Sequence, residues 1–493
     1  CSLMIKSIQY FEEFGIKNLE KVVEKFLQNP KDMASFIYGI QDNVIKLGLD
    51  IIKETLENCD DMIRKSGKRK QNWQIIKKDE KKLVTSLGPV CFEKTLFKNK
   101  STGERTYLLD RIIGIEDHER LTEDAEAKML EEAVETSYRK AGQAISISEI
   151  VSKQTVKNKI HSLEFHSEYK DIEKKKKVKY LYIDADEDHV SLQYREKMGD
   201  LVKNDSHSKN NCIIAKIVYV YEGIEKEGPR SKRNRLINSH YFCGTYYGED
   251  NNKLWDEVYE YICCNYDIDS IEKIYLNGDG GGWIKAGKRR LAGLNYVLDE
   301  FHLSKYMIRA TSHLLDSAED ARQEMYKAMK RGTKKDFEKV IDKILNVTEG
   351  EATIRRVNES KEYILSNWSA VKVRLEDRDE ILGCSAEGHV SHVLSSRMSS
   401  RPMGWSKIGV DKMAHLRAYY WNGGDMLELV RKQKLCISKA AGAEEKDILS
   451  CEELLRAEKN KRYELGKYVE SISHSLSAEA KKYVWFNAHI WGL

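Results

Sequence analysis

The chain has 493 residues, 41% of them apolar and 33% charged, which allows about three folded domains beneath a heavily charged surface. A net charge of only +4 does not by itself announce a nucleic-acid partner. There is no C-x-x-C, so zinc-ribbon spacing is absent, and with no apolar run near 18 residues and no signal-peptide pattern nothing suggests a membrane span or secretion. The ten cysteines are therefore expected to be reduced cytosolic thiols, in a cytoplasmic protein. Residue 1 is Cys rather than Met, so the start of the chain is expected to lie upstream.

Residues 33 to about 64 read as helix, because Phe36, Ile37, Ile40, Val44, Leu47 and Ile51 recur at three- and four-residue spacing. "SGKRKQNW" (66–73) breaks that pattern. Between Arg64 and Lys100 twelve Lys/Arg stand against three Asp/Glu, a density that suits a phosphate backbone and suits a solvated linker equally well. Lys68, Arg69 and Lys70 are its centre. Residues 83–109 look like a small β unit turning at "KNKSTGE".

Helix returns at 121–145. "SEIVSKQTVKNKIHSL" (148–163) then resembles the second half of a helix-turn-helix. Ser152 is placed to cap a helix with Val156 and Ile160 inward, leaving Gln154 and Thr155 to face a groove. An ordinary amphipathic helix fits the same residues.

The central stretch reads as strand (178–186), strand (189–194), strand (211–223), helix (254–266), strand (271–278), helix and strand (294–302). Residues 304–375 lack proline and carry Phe337, Val340, Ile341, Ile344 and Leu345 at helical spacing, so an all-helical block is expected there. Residues 385–400 read as one more helix, and 410–493 as a charged, mostly helical tail.

Two acids fall at strand ends, Asp186 after the first strand and Asp279 in "NGDGGG" after the fourth, and Glu387 opens a later helix. In a ribonuclease-H-like topology the first and fourth strands are neighbours, so these carboxylates would meet. Gathered carboxylates repel and are best held ionised by cations. Two Mg2+ ions, with Mn2+ able to substitute, are the expected cofactors, because oxygen ligands and retained water suit them. Asp184 rivals Asp186, since strand alternation puts both on one face. Each acid also has a plainer reading, Asp279 as turn chemistry and Glu387 as a helix-start residue. "LDEFH" adds Asp299 and His302, a D-x-x-H at the end of the fifth strand.

The stretches "YIDADEDHVSLQ", "IYLNGDGGGWIK", "VLDEFHLSKY", "CSAEGHVSHVLSSRMSSRPMGWS" and "RAYYWNGGD" resemble the bacterial insertion-sequence transposases of the ISLre group, from about residue 60 onward. The resemblance implies a DDE-type DNA transposase: a ribonuclease-H-like core, a helical insertion before the last acid, Asp186, Asp279 and Glu387 as metal-binding catalytic acids, and Asp299 and His302 as an accessory pair. It implies double-stranded DNA as partner, both terminal inverted repeats and target, and a homo-oligomer on that DNA at the nucleoid. The domain plan expected on this reading is 1–65 helical; 66–170 basic and DNA-binding; 178–303 core; 304–380 helical insertion; 381–425 core with Glu387; and 426–493 helical tail. Rival readings are another metal nuclease of the same fold, such as a resolvase, and a DNA-binding protein without catalysis.

Overall fold

The computed structural model describes residues 5–116, 118–165, 169, 172–193, 211–291 and 293–440. The loop expected after 194 and the tail beyond 440 lie outside these. Two compact units emerge: residues 1–133, 137–156 and 426–493 form one, and 134–136 with 157–425 the other. Among the described residues no helix is long and apolar enough to cross a membrane.

In the first unit the helices Ile16–Gln28 and Met33–Lys65 form a hairpin. Phe26 stacks on Phe36 with ring centroids 4.5 Å apart, and Asp32 caps the second helix by accepting from the Ser35 N–H. The sequence break at 66–73 proves to be a short helix, Gly67–Asn72, followed at once by strand. Strands β1 (Trp73–Val84), β2 (Pro89–Asn99) and β3 (Arg105–Tyr107) make an antiparallel sheet in the order β1-β2-β3. β1 starts ten residues before the expected β unit. Its middle is a lysine-rich edge exposed on both faces, so it carries no alternation to read. Trp73, Leu83, Phe92 and Phe97 pack on Ile63 of the long helix. Asp60 is buried there and accepts from both the backbone and the hydroxyl of Thr95.

The second unit is built on a five-stranded mixed sheet. Its strands are β4 (Tyr180–Ser191), β5 (Cys212–Tyr221), β8 (His240–Gly244), β9 (Lys273–Gly278) and β10 (Leu294–Leu298), in the order β10-β9-β4-β5-β8. A small hairpin, β6 (Gly223–Lys226) and β7 (Asn234–Ile237), leaves between β5 and β8. β4 runs parallel to β9, β9 parallel to β10, and β5 is antiparallel to both its neighbours.

Two expectations are corrected here. Where two strands were expected, at 178–186 and 189–194, one continuous strand runs over Tyr180–Ser191, because Asp184, Asp186 and Asp188 alternate onto one face and the acidic run pairs without a break against Ala215–Tyr219; residue 194 lies outside the described residues. The five-residue strand β8 was not anticipated; it is short and hidden behind the polar hairpin.

Alternation gives the sheet two unlike faces. Leu181, Ile183, Ala185, Val218, Val220, Phe242, Ile274, Leu276, Tyr296 and Leu298 form the apolar face. It shares one core with the helices Asn251–Asn265 and Gly282–Arg290 and with the helical block from Glu300 to Glu376. Each fully buried Leu, Ile or Phe there contributes roughly 1.5–3 kcal/mol. The opposite face carries Tyr182, Asp184, Asp186 and Asp188 of β4, Tyr219 and Tyr221 of β5, and Asn277 of β9.

Candidate active site on the polar face of the sheet

Asp184 is fully buried beneath this face and is saturated by four donors. Its carboxylate accepts from the Tyr219 hydroxyl at 2.7 Å, the Tyr221 hydroxyl at 3.2 Å, Asn277 Nδ2 at 2.7 Å and the Ser385 N–H at 3.2 Å. Burial pushes its pKa up, and these hydrogen bonds oppose the rise. With its acceptor sites spent on protein, Asp184 is a structural knot joining β4, β5, β9 and the segment before Glu387.

Asp186, two residues on, is half-buried and accepts from the Glu187 N–H at 2.8 Å. Burial and then the neighbouring Asp279 charge push its pKa up to about 6, against the lowering by the Glu187 N–H and by His302. Asp279 follows Asn277 by two residues, just past the end of β9, and so continues the same face. Its Oδ1 accepts from the Gly281 N–H at 2.9 Å, and its carbonyl accepts from the Tyr363 hydroxyl. The glycine run has local reasons. Gly280 has φ +101°, and a Cβ there would stand 3.0 Å from Asn367 Nδ2; Gly281 then begins the helix Gly282–Arg290.

Asp299 caps the helix Glu300–Thr311, accepting from the Phe301 N–H, and holds His302 Nδ1 at 3.0 Å. Burial works against the Asp299 carboxylate, but the hydrogen bonds from His302 and Phe301 and the His302 and Arg374 charges outweigh it and lower its pKa. The His302 pKa is raised, first by the hydrogen bond to Asp299 and then by the charges of Asp299, Asp279 and Asp186. Asp186, Asp279, Asp299 and His302 are thus brought together.

Glu387 is not. Its side chain is exposed, and it is not among the charges that act on Asp186. Its helix nevertheless lies on the polar face. Ser385, just before it, bonds Asp184 and Tyr219, and Ser399, just after it, donates to Asp188 Oδ1 at 2.9 Å. The helix widens to a π-turn at Val390–Ser395, a distortion often found near functional sites. Among the described residues no group of three or more His, Cys, Asp and Glu side chains is arranged to hold a metal ion.

The expected DNA-contacting residues sit in varied states. Lys68 and Lys70 are exposed, whereas Arg69 is committed to the Arg64 carbonyl and lies 5.8 Å from the centre of the Phe97 ring. Ser152 caps the helix Lys153–Ser162 as expected, with Val156 and Ile160 fully buried. Gln154 is exposed, but the Thr155 hydroxyl bonds Ser152 Oγ at 3.1 Å instead of standing free.

Sequence reasoning missed Asn277, Tyr219, Tyr221, Ser385 and Tyr363. The first was accessible, because an N-x-D at a strand end places both side chains on one face. The others had no local signal.

The pH dependence of stability tests the acidic pair. Folded chain holds the Asp186 proton to about pH 6, whereas an unfolded aspartate releases it near 4. The folded state therefore binds more protons in that window, and stability falls as pH rises from about 4 to about 6. His302, with a raised pKa, contributes stability that is lost only at higher pH, as pH rises through its folded value. In buffer without divalent ions, Asp186→Asn is expected to be about 1 kcal/mol more stable than the parent at pH 7, allowing for partial exposure, and equal to it at pH 4. Thermal melts across that range read the difference; identical curves would place Asp186 outside a dehydrated, repulsive site.

A family profile described as an uncharacterised protein family, UPF0236, matches residues 27–434. The chain is 36% identical over 413 residues to one UPF0236 protein of Caldanaerobacter subterraneus subsp. tengcongensis, covering 84% of this chain and 83% of that one. It is 37% identical over 435 residues to a second from the same organism, with 87% and 83% covered. A UPF0236 protein in the vanSb 3′ region of Streptococcus gallolyticus is 24% identical over 420 residues, with 81% and 86% covered. On the strength of these matches, which run through both structural units, the chain belongs to the UPF0236 family.

Proposed function

We propose that this protein is a DNA transposase of an insertion sequence, acting through metal-dependent phosphodiester chemistry on a ribonuclease-H-like sheet. The observation that carries the reading is that Asp186 on β4 and Asp279, just past the end of the neighbouring parallel strand β9, feel each other's charge, with the Asp299–His302 pair beside them. The sheet order supports the fold. Numbered by appearance within the sheet, its strands run 5-4-1-2-3 with the second antiparallel. The name of one relative joins a string of locus designations from a single genome, as copies of a mobile element would.

The two aspartates fit a divalent cation. Both are half-buried, and the Asp279 charge opposes ionisation of Asp186, a cost that a cation would remove. Glu387 would complete the set only by turning its side chain in from solvent; its helix already lies on the correct face. When bound, two Mg2+ or Mn2+ ions supply Lewis acidity toward the scissile phosphate and the attacking and leaving oxygens.

The chain's own residues do the rest. Asp186 and Asp279 would hold the ions. Asp299 fixes Nδ1 of His302, so Nε2 is the ring nitrogen left to donate to a phosphate oxygen. Hydrolysis breaks the P–O3′ bond at the element end and frees a 3′-hydroxyl. That hydroxyl then displaces a 3′-oxygen in target DNA, giving strand transfer. Lys68, Lys70 and the lysines of β1 would follow backbone phosphates, with Gln154 reading bases and two or more copies acting together on DNA in the cytoplasm.

The test is incubation of the purified chain with DNA carrying its gene and both flanks, with Mg2+ or Mn2+, followed by mapping of 3′-hydroxyl ends and joined products. Cutting at two flanking positions with joining supports the reading. Cutting without joining points to a nuclease, and neither cutting nor joining removes the activity. The exposed Glu387 favours one second reading, a DNA-binding chain without catalysis; it would bind the flanks and leave them intact.

A further inference from the structure

A cavity of about 460 Å3 opens between the helices Glu300–Thr311 and Trp368–Glu376. Arg374 lines it with a side chain only 8% exposed. One guanidinium nitrogen, Nη2, donates to Glu300 Oε2 at 2.9 Å, while Nη1 is buried and has no hydrogen-bond partner. Leaving a buried charged donor unmet is costly. Arg378, exposed, and Ser304 stand at the same cavity, so two cations and a hydroxyl outweigh one carboxylate. The Glu300 side chain is 70% exposed.

We propose that this cavity holds a backbone phosphate of the DNA strand entering the Asp186–Asp279 site, gripped by Arg374 and Arg378. The inference rests on the transposase reading for the identity of the strand. A guanidinium whose Nη1 has no partner keeps hydrogen-bonding capacity in reserve for phosphate oxygens. The place is right as well: Glu300 directly follows Asp299, and the Arg374 charge is one of those that keep Asp299 ionised. Tyr326 gives the wall a surface for the sugar, and Gly383, where an added Cβ would meet nothing within 4 Å, leaves the approach open. The volume exceeds what a lone phosphate needs.

The experiment measures binding of a fluorescein-labelled flank oligonucleotide to the full chain in EDTA, by anisotropy at several salt concentrations. Arg374→Met and Arg378→Ala are each expected to weaken binding severalfold and to lower the slope of log affinity against log salt by about one. Arg378 is exposed, so its variant carries the test alone if Arg374→Met does not fold. Deoxyadenosine monophosphate serves as the free-phosphate probe and is expected not to compete below millimolar concentration. Parent-like affinity and slope in Arg378→Ala, with the parent binding DNA, would overturn the phosphate site and leave the transposase reading standing. Competition by micromolar mononucleotide would make the cavity a nucleotide site and overturn the strand proposal. A parent that binds no DNA would sink the transposase reading itself.

Discussion

Asp279→Asn is expected to leave the chain folded and its DNA affinity in EDTA near that of the parent, while divalent-dependent cutting at the flanks falls by roughly a thousandfold or more. An amide keeps the size of the side chain and can still accept from the Gly281 N–H, so the turn into the helix Gly282–Arg290 survives. What it lacks is the negative charge that, beside Asp186, makes this place attractive to a divalent cation. Several kcal/mol of transition-state stabilisation go with the ion, and each 1.36 kcal/mol is about tenfold in rate. The cleavage assay on the flanked gene reads the loss; cutting within tenfold of the parent would remove Asp279 from the site.

Asp184→Ala should be the most damaging single change to stability. It leaves the hydroxyls of Tyr219 and Tyr221, the Asn277 amide and the Ser385 N–H facing an empty, dry space. Asn277 Oδ1 is already buried without a partner, so this side chain is incompletely satisfied even before the carboxylate is removed. Losing a buried acceptor that serves several donors costs about 3–5 kcal/mol. Urea titration at pH 7 measures it, with Asp184→Asn falling between parent and alanine variant because the amide accepts at only one oxygen. A loss under 1 kcal/mol for the alanine variant would mean that the knot does not tie the strands to the segment before Glu387.

Much of this site was legible because it is local. Alternation in "YIDAD" puts Tyr182, Asp184 and Asp186 on one face, and D-x-x-H joins Asp299 to His302 across one helical turn. Which aspartate is buried was not legible, because the decision is made by Tyr219, Tyr221, Asn277 and Ser385, the last of them 201 residues away. The same holds for Tyr363, which reaches the Asp279 carbonyl from deep in the helical block. The fold was read correctly where periodicity was strong, as in Met33–Lys65 and the helices between Ala318 and Glu376. It was misread where charge concealed the pattern. The acids inside β4 looked like a break, the lysines of β1 looked like a linker, and β8 was too short to declare itself. Glu387 shows the remaining limit: its helix is placed by Ser385 and Ser399, but a side-chain rotamer follows from packing and ligands, not from spacing.

The most direct measurement is electron paramagnetic resonance of Mn2+ titrated into the full chain with bound flank DNA, in the parent and in the Asp186→Asn and Asp279→Asn variants. Saturable Mn2+ binding in the parent, lost or weakened at least tenfold in each variant, is the result expected if these two aspartates hold the catalytic cation. Equal Mn2+ binding in all three, or none in the parent, would contradict a metal site on this face of the sheet.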